Sequence, residues 1–371
     1  MKVWRKIHHG GKRADGARTA GKKEEEMLDF SVNVTPLGIP ENIQEGMKRG
    51  LLKAGWYPDS SKARLQKAIG DFHNVEPEQI CVGNGAADVI YRLVFAIQPR
   101  KVLVPAPTFG EYEGALTCVN AHVDYYRMST DDFLIREDVC HLIEADTDMV
   151  FLCHPNNPTG RLVPEPVLKA VLNRCRETGT WLVVDECFLD FVSKDKAFSM
   201  IEFLGDWNKL IIIRSFTKMF GIPGIRLGYL ICSKGEIADE IDRYGGGWNV
   251  NCIAEEAGIE SLKSEEYTKK VVDYMTDERS KIRQKMLHMG YRVIEGEANF
   301  LLFQDVCPDP GRLGEWLLKQ GIMIRCCDDY IHLDGTYYRI GIQTREMNAF
   351  LMKKLEEWID LYKRKDKEKK L

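Results

Sequence analysis

Five short apolar runs constrain this chain more than any other feature. They are "KVLVP" (Lys101–Pro105), "MVFLC" (Met149–Cys153), "WLVVD" (Trp181–Asp185), "LIIIRS" (Leu210–Ser215) and "LGYLIC" (Leu227–Cys232). Each is continuous in apolar character rather than alternating, the pattern of strands covered on both faces. Between the second and third lies "PEPVLKAVLNRCRETG" (Pro164–Gly179), which opens on proline, carries apolar residues at helical spacing and closes on glycine. A strand, a helix and a second covered strand make a β-α-β unit, so the expected fold class is α/β around a mostly parallel sheet.

A chain of 371 residues exceeds what one core usually serves, so two lobes are expected. Residues 1–50 read as an N-terminal arm and part of a small domain, 51–248 as the large domain, and 249–371 as a smaller α+β domain. Within the last, Ala254–Leu287 reads as one long charged amphipathic helix. It is followed by the short segments "ANFLLFQ" (Ala298–Gln304), "IMIRCC" (Ile322–Cys327) and "YYRIGIQT" (Tyr337–Thr344), then a helix from about Arg345.

Charge and composition exclude several classes. A net charge of −4 gives no footprint for nucleic acid, and the basic tail Lys363–Leu371 is broken by acids, as in a solvated helix end. No apolar run approaches the roughly 20 residues that span a bilayer, and the first residues lack the apolar core of a secretory signal. None of the 11 cysteines lies in a C-x-x-C pair, and most end apolar runs as small core residues, which points to a reducing cytoplasm. His8-His9 lacks the companions a metal site needs. "GNGAAD" (Gly83–Asp88) misses the dinucleotide-binding G-x-G-x-x-G at its last position, and the Walker order is absent.

In an open α/β sheet, ligands bind beyond the carboxyl ends of the strands. Four groups fall there. Asp185 closes "WLVVD"; taken alone, it reads as a helix cap or surface ion pair. Ser215, Thr217 and Lys218 leave "LIIIRS", with Arg226 eight residues beyond the lysine. "NNPTG" (Asn156–Gly160) follows "MVFLC" as a turn. Gly85 and Ala86 precede a helical stretch whose free N–H groups suit an anion. Pyridoxal 5'-phosphate needs this whole set: a lysine for its aldehyde, an acid for its ring nitrogen, and hydroxyl, arginine and backbone donors for its phosphate. Lys218, Asp185, and Ser215, Thr217, Arg226 and Gly85-Ala86 would fill these roles in turn. Asn157 would bond the phenolic oxygen, and Phe109 of "TFGEY" could stack on the ring.

"SFTKMFGIPGIRLGY" (Ser215–Tyr229), "HPNNPTG" and "DECFLDF" together resemble the fold-type-I pyridoxal-phosphate enzymes of the class I/II aminotransferase group, over nearly the whole chain. Within that group the likeness is greatest to the threonine-phosphate decarboxylases of cobalamin biosynthesis, with the histidinol-phosphate aminotransferases as near relatives. It rests on "HHGG", "LDFSVNVTPLG" (Leu28–Gly38), "WYPD" (Trp56–Asp59), "VGNGAADVI", "ANFLLF", "IMIRCC" and "YYRIGI". The resemblance implies a homodimer in which Tyr57 reaches the partner subunit's cofactor phosphate. It implies Arg339 as the receptor of the substrate carboxylate, and Arg325, His9, Gly10 and Asn33 around the substrate's phosphate and backbone groups. Guanidinium forks suit both anions of an amino acid phosphate.

Three departures bear on the reaction. Phe188 stands where many aminotransferases carry a tyrosine, and the resemblance implies phenylalanine in the decarboxylases. Lys12 replaces an asparagine usual in the decarboxylases. "IQTREMN" (Ile342–Asn348) is closer to aminotransferase wording.

Overall fold

The computed structural model describes residues 9–306 and 311–369. The N-terminal stretch through His8, Cys307 and the last two residues of the basic tail lie outside them. Seven strands form the main sheet, in the spatial order Ile80–Gly83, Gly228–Cys232, Leu210–Ser215, Trp181–Asp185, Met149–Cys153, Lys101–Ala106 and His122–Arg127. Gly228–Cys232 runs antiparallel to both its neighbours; the other pairings are parallel. Apart from the half-buried Trp181 that opens its strand, these apolar runs are buried along their length, as continuous patterns require. Glu165–Thr178 is the crossover helix, entered at Pro164 and ended by Gly179 in the left-handed conformation, φ 77°.

Two strands of this sheet were not among the five read from sequence. Ile80–Gly83 is only four residues long. His122–Arg127 sits at the sheet edge with several side chains half-buried or exposed, so it carries no apolar run.

A second sheet orders Arg325–Cys326, Tyr337–Gly341, Phe300–Gln304 and Arg292–Val293. "IMIRCC" therefore divides: Arg325–Cys326 joins this sheet, whereas Ile322–Met323 pairs in parallel with Leu28–Asp29 near the start of the chain. The Phe30 N–H donates to the Met323 carbonyl, and the Gly341 N–H donates to the Phe30 carbonyl. The early segment is thereby stitched to the C-terminal third. Among the described residues, no helix is long and apolar enough to cross a membrane.

The single helix expected over Ala254–Leu287 is instead two, Cys252–Ser261 and Glu265–His288. Asn251 caps the first by accepting the Ala254 N–H at 2.8 Å. That helix is buried on most sides and packs against Glu41–Leu51, close enough that a Cβ on Gly50 would lie 2.6 Å from the Cys252 carbonyl. At the break, the Ser264 hydroxyl donates back to the Glu260 carbonyl and accepts from Asn42 Nδ2. Tertiary packing thus separates a buried helix from a solvated one where the charge pattern runs on unbroken.

Candidate active site

The carboxyl ends of the parallel strands converge on a cavity of about 290 Å³. Cys153 lies opposite Asp185, and Ser215 opposite Gly228, which is itself opposite Gly83. Thirteen of the fifteen sequence-predicted residues line this cavity: Lys218, Asp185, Asn157, Ser215, Thr217, Arg226, Ala86, Phe109, Arg339, Arg325, His9, Gly10 and Asn33. Gly85 lies just behind Arg226, and Tyr57 is elsewhere.

Asp185 is buried at 3% exposure, which overturns the reading of a surface cap or ion pair. Its Oδ2 accepts the Tyr112 hydroxyl at 2.6 Å and its Oδ1 accepts the Cys187 N–H at 3.0 Å. Tyr112 is fully buried and stacked on Phe151. Burial, reinforced by the Asp185 charge, pushes its phenol well above the usual range, so it remains a donor. The adjacent acid, Glu186, already has a buried guanidinium partner, Arg214, at 2.8 Å. Asp185 has none among the described residues. A buried carboxylate held by neutral donors alone is an incomplete arrangement that a cationic ligand completes.

At one end of the cavity, the Ser215 and Thr217 hydroxyls share a hydrogen bond of 2.8 Å. The helix Ala86–Ile97 begins there at Gly85, φ 91°, with no side-chain cap on its first N–H groups. Gly228 permits the approach: a Cβ on it would lie 2.5 Å from the Ala86 nitrogen. Arg226 takes the left-handed conformation, φ 59°, and brings its Nη2 against Gly85, within 2.5 Å of where a Cβ would stand. The Arg226 side chain has no carboxylate partner among the described residues. Two hydroxyls, an exposed guanidinium and an uncapped helix start form a cradle for a dianion.

Lys218 is half-buried, and its Nζ lies 5.0 Å from the Phe188 ring centre with no hydrogen-bond partner among the described residues. Phe188 meets Phe300 edge-on at 5.1 Å, and the Arg339 guanidinium lies 5.4 Å from the Phe300 centroid. Arg339 Nη1 donates to Asn157 Oδ1 at 2.5 Å and Nη2 to the Ser31 carbonyl at 2.8 Å, while its buried Nε has no partner. Asn157 Oδ1 also accepts the Tyr330 hydroxyl at 3.3 Å. Asn33 Oδ1 is buried and unpartnered. Gly10 abuts the Ser31 carbonyl with no room for a side chain. His9 bonds Glu111 at 2.6 Å; this bond and the Tyr91 hydroxyl hold the Glu111 carboxyl below its usual range, against burial. Phe109 sits edge-on to Tyr112, 5.6 Å between centroids. Tyr57 is 80% exposed and packs on Trp248.

Tyr112, Tyr330 and Asp329, the carboxylate partner of Arg325, were not singled out from sequence. Tyr112 was within reach as the second aromatic of "TFGEY". Nothing local marks the other two: Tyr330 reaches Asn157 across the chain, and Asp329 is an acid four residues from an arginine, which is ordinary in sequence.

The pattern of the class I and II aminotransferase family matches residues 25–355, and the chain belongs to that family. It is 32% identical to threonine-phosphate decarboxylase of Salmonella typhimurium, over 93% of this chain and 94% of that protein. It is 31% identical to histidinol-phosphate aminotransferase 2 of Archaeoglobus fulgidus, over 90% and 94%. The crystal structure of the histidinol-phosphate aminotransferase from Clostridium acetobutylicum superposes with a TM-score of 0.84 at 30% identity, covering 90% of this chain and 99% of that one. The fold is therefore the fold-type-I scaffold, and its cofactor is pyridoxal 5'-phosphate. The residues present fit that group: a buried carboxylate and a lysine amine, neither with an ion-pair partner among the described residues, and a dianion cradle surround one cavity.

Proposed function

We propose that this chain decarboxylates O-phospho-L-threonine, or a close amino acid phosphate, to 1-amino-2-propanol phosphate for cobalamin biosynthesis. One observation supports this most directly. Arg325 and Arg339 are register partners on adjacent antiparallel strands, so two guanidinium side chains share one wall of the cavity. A substrate bearing both a carboxylate and a phosphate matches two such receptors. The Salmonella relative named for that reaction supports the same reading.

In this reading, Asp185 would hold the cofactor's ring nitrogen, Asn157 its phenolic oxygen, and Phe109 would pack on its ring. Ser215, Thr217, Arg226 and the helix start at Gly85-Ala86 hold its phosphate. When bound, the cofactor would supply an electron sink for the pair left behind when a bond to the substrate's α carbon breaks. Arg339 anchors the carboxylate, and its Asn157 and Ser31 contacts fix where that fork points. Lys218 would hold the cofactor aldehyde, and its amine would be the group placed to return a proton to the α carbon once CO2 has left. Arg325, His9, Gly10 and Asn33 surround the substrate's phosphate.

Histidinol-phosphate aminotransferase is the second reading, favoured by the Archaeoglobus relative and by the wording of Ile342–Asn348. A product assay on the holoenzyme separates the two. O-phospho-L-threonine is expected to release CO2 and the amine phosphate, with the cofactor remaining in its aldehyde form. Conversion of the cofactor to its amine by histidinol phosphate, with no CO2 from phosphothreonine, would sink the decarboxylase reading.

The homodimer belongs to the same reading. Tyr57 lies outside its own chain's cavity, and Trp56, Leu52 and Trp248 are likewise exposed large apolar residues. A second copy covering them would let Tyr57 reach that copy's cofactor phosphate. Sedimentation is expected to give twice the chain mass. Tyr57→Phe should keep that mass while weakening cofactor retention by about tenfold, the worth of one hydrogen bond to a charged group. A monomer retaining full activity would refute the arrangement.

A further inference from the structure

Arg325 and Arg339 face the same cavity but are compensated differently. Among the described residues, Arg339 donates only to neutral acceptors. Arg325 is already engaged by a carboxylate: its Nη2 donates to both oxygens of Asp329, at 2.6 and 2.7 Å, and its Nη1 donates to the Cys326 carbonyl. Both side chains of the ion pair are nearly buried, at 8% and 9% exposure. The Tyr330 ring backs the guanidinium, 5.2 Å from its centroid. Arg325 lines the main cavity, whereas Asp329 lines only a side chamber of about 40 Å³ that shares His9, Phe109, Arg325 and Tyr330 with it.

We propose that Asp329 is a specificity-determining residue, a built-in carboxylate with which any substrate anion must compete for Arg325. The inference rests on the reading that the substrate carries a phosphate beside its α-carboxylate. Exchanging one carboxylate for another at Arg325 gains nothing and breaks its bidentate pair with Asp329. A phosphate brings nearly two charges and three strong acceptor oxygens, so it can hold Arg325 against that competitor. Phosphorylated amino acids then bind while dicarboxylic amino acids, which also carry two anions, are turned away. Discrimination comes from a repulsive element as much as from an attractive one.

The test is ligand binding to the holoenzyme, read by calorimetry and by the change in the cofactor's absorption band rather than by turnover. The probes are inorganic phosphate, O-phospho-L-threonine and L-glutamate. Asp329→Asn keeps the size of the side chain and removes its charge. Glutamate is expected to bind at least about tenfold more tightly to the variant, and its disadvantage relative to phosphothreonine to shrink by a similar factor. In an Arg325→Gln background, Asp329→Asn should have no such effect, because the competition has lost its object. Asp329→Ser is the substitute if the asparagine variant fails to fold.

Unchanged glutamate affinity, or a uniform loss for all three probes as large as that of Arg325→Gln, would show that Asp329 only buttresses the arginine and would overturn the proposal. If the wild type binds glutamate but not phosphothreonine, the substrate reading fails instead. Phosphate alone then decides Asp329, with tightening in Asp329→Asn supporting it and no change overturning it.

Discussion

Replacing Lys218 by alanine is expected to abolish turnover while leaving the fold intact. The loss in kcat should reach about 10⁴-fold, the upper end of what a positioned acid–base group supplies, because covalent attachment is lost as well. The fold should survive because the side chain makes no hydrogen bond or ion pair among the described residues. Its structural contribution is the backbone carbonyl, which accepts the Thr35 N–H at 3.0 Å and is unaffected by the substitution. Borohydride reduction followed by mass spectrometry separates chemistry from folding. The wild type should retain one cofactor mass on the peptide containing Lys218. The variant should retain none, although in the proposed arrangement Asp185 and the Ser215–Thr217 cradle would still hold free cofactor. A Lys218→Ala protein with normal turnover and covalently fixed cofactor would remove the basis for every role assigned around the cavity.

The main sheet was legible because its strands are covered on both faces. Met149–Cys153, Trp181–Asp185 and Leu210–Ser215 have the same ends in the sequence and in the structure. Legibility fades where covering fades. His122–Arg127, at the edge, mixes apolar with charged residues and leaves no continuous run. The divided helices at Cys252–Ser261 and Glu265–His288 differ in what surrounds them, which a charge pattern does not record.

The site divides in the same way. Residues that end strands or follow closely on their ends announce themselves by position, as Asp185, Ser215 and Lys218 do. Tyr112 reaches Asp185 across 73 residues of sequence, and Tyr330 reaches Asn157 across 173. Such contacts arise only when the topology gathers distant segments at the carboxyl ends of the strands. Asp329 was invisible for the opposite reason: an acid four residues from an arginine is ordinary in sequence. Only its burial against Arg325 at the cavity wall gives it meaning.

Asp185→Asn is the second substitution with a large expected effect, and here charge is tested apart from shape. Asparagine fills the same volume, and its carbonyl oxygen can accept from either Tyr112 or Cys187, but its NH₂ must then face the other donor. That mismatch should lower stability by about 1–3 kcal/mol, the cost of a buried donor left unpaired. The larger effect is chemical. Without a negative charge beside it, the ring nitrogen loses its reason to stay protonated, and the ring becomes a poorer acceptor for the electron pair at the α carbon. A fall in kcat of about 10³-fold is expected, comparable with the loss of a preorganised electrostatic group elsewhere. Covalent attachment at Lys218 should persist, since the amine and the phosphate cradle are untouched. Borohydride should therefore still fix the cofactor to the variant, unlike Lys218→Ala. If Asp185→Asn keeps more than about a tenth of the wild-type rate with its cofactor attached, its charge does not set the electron demand of the ring. The buried carboxylate without an ion-pair partner would then need another explanation.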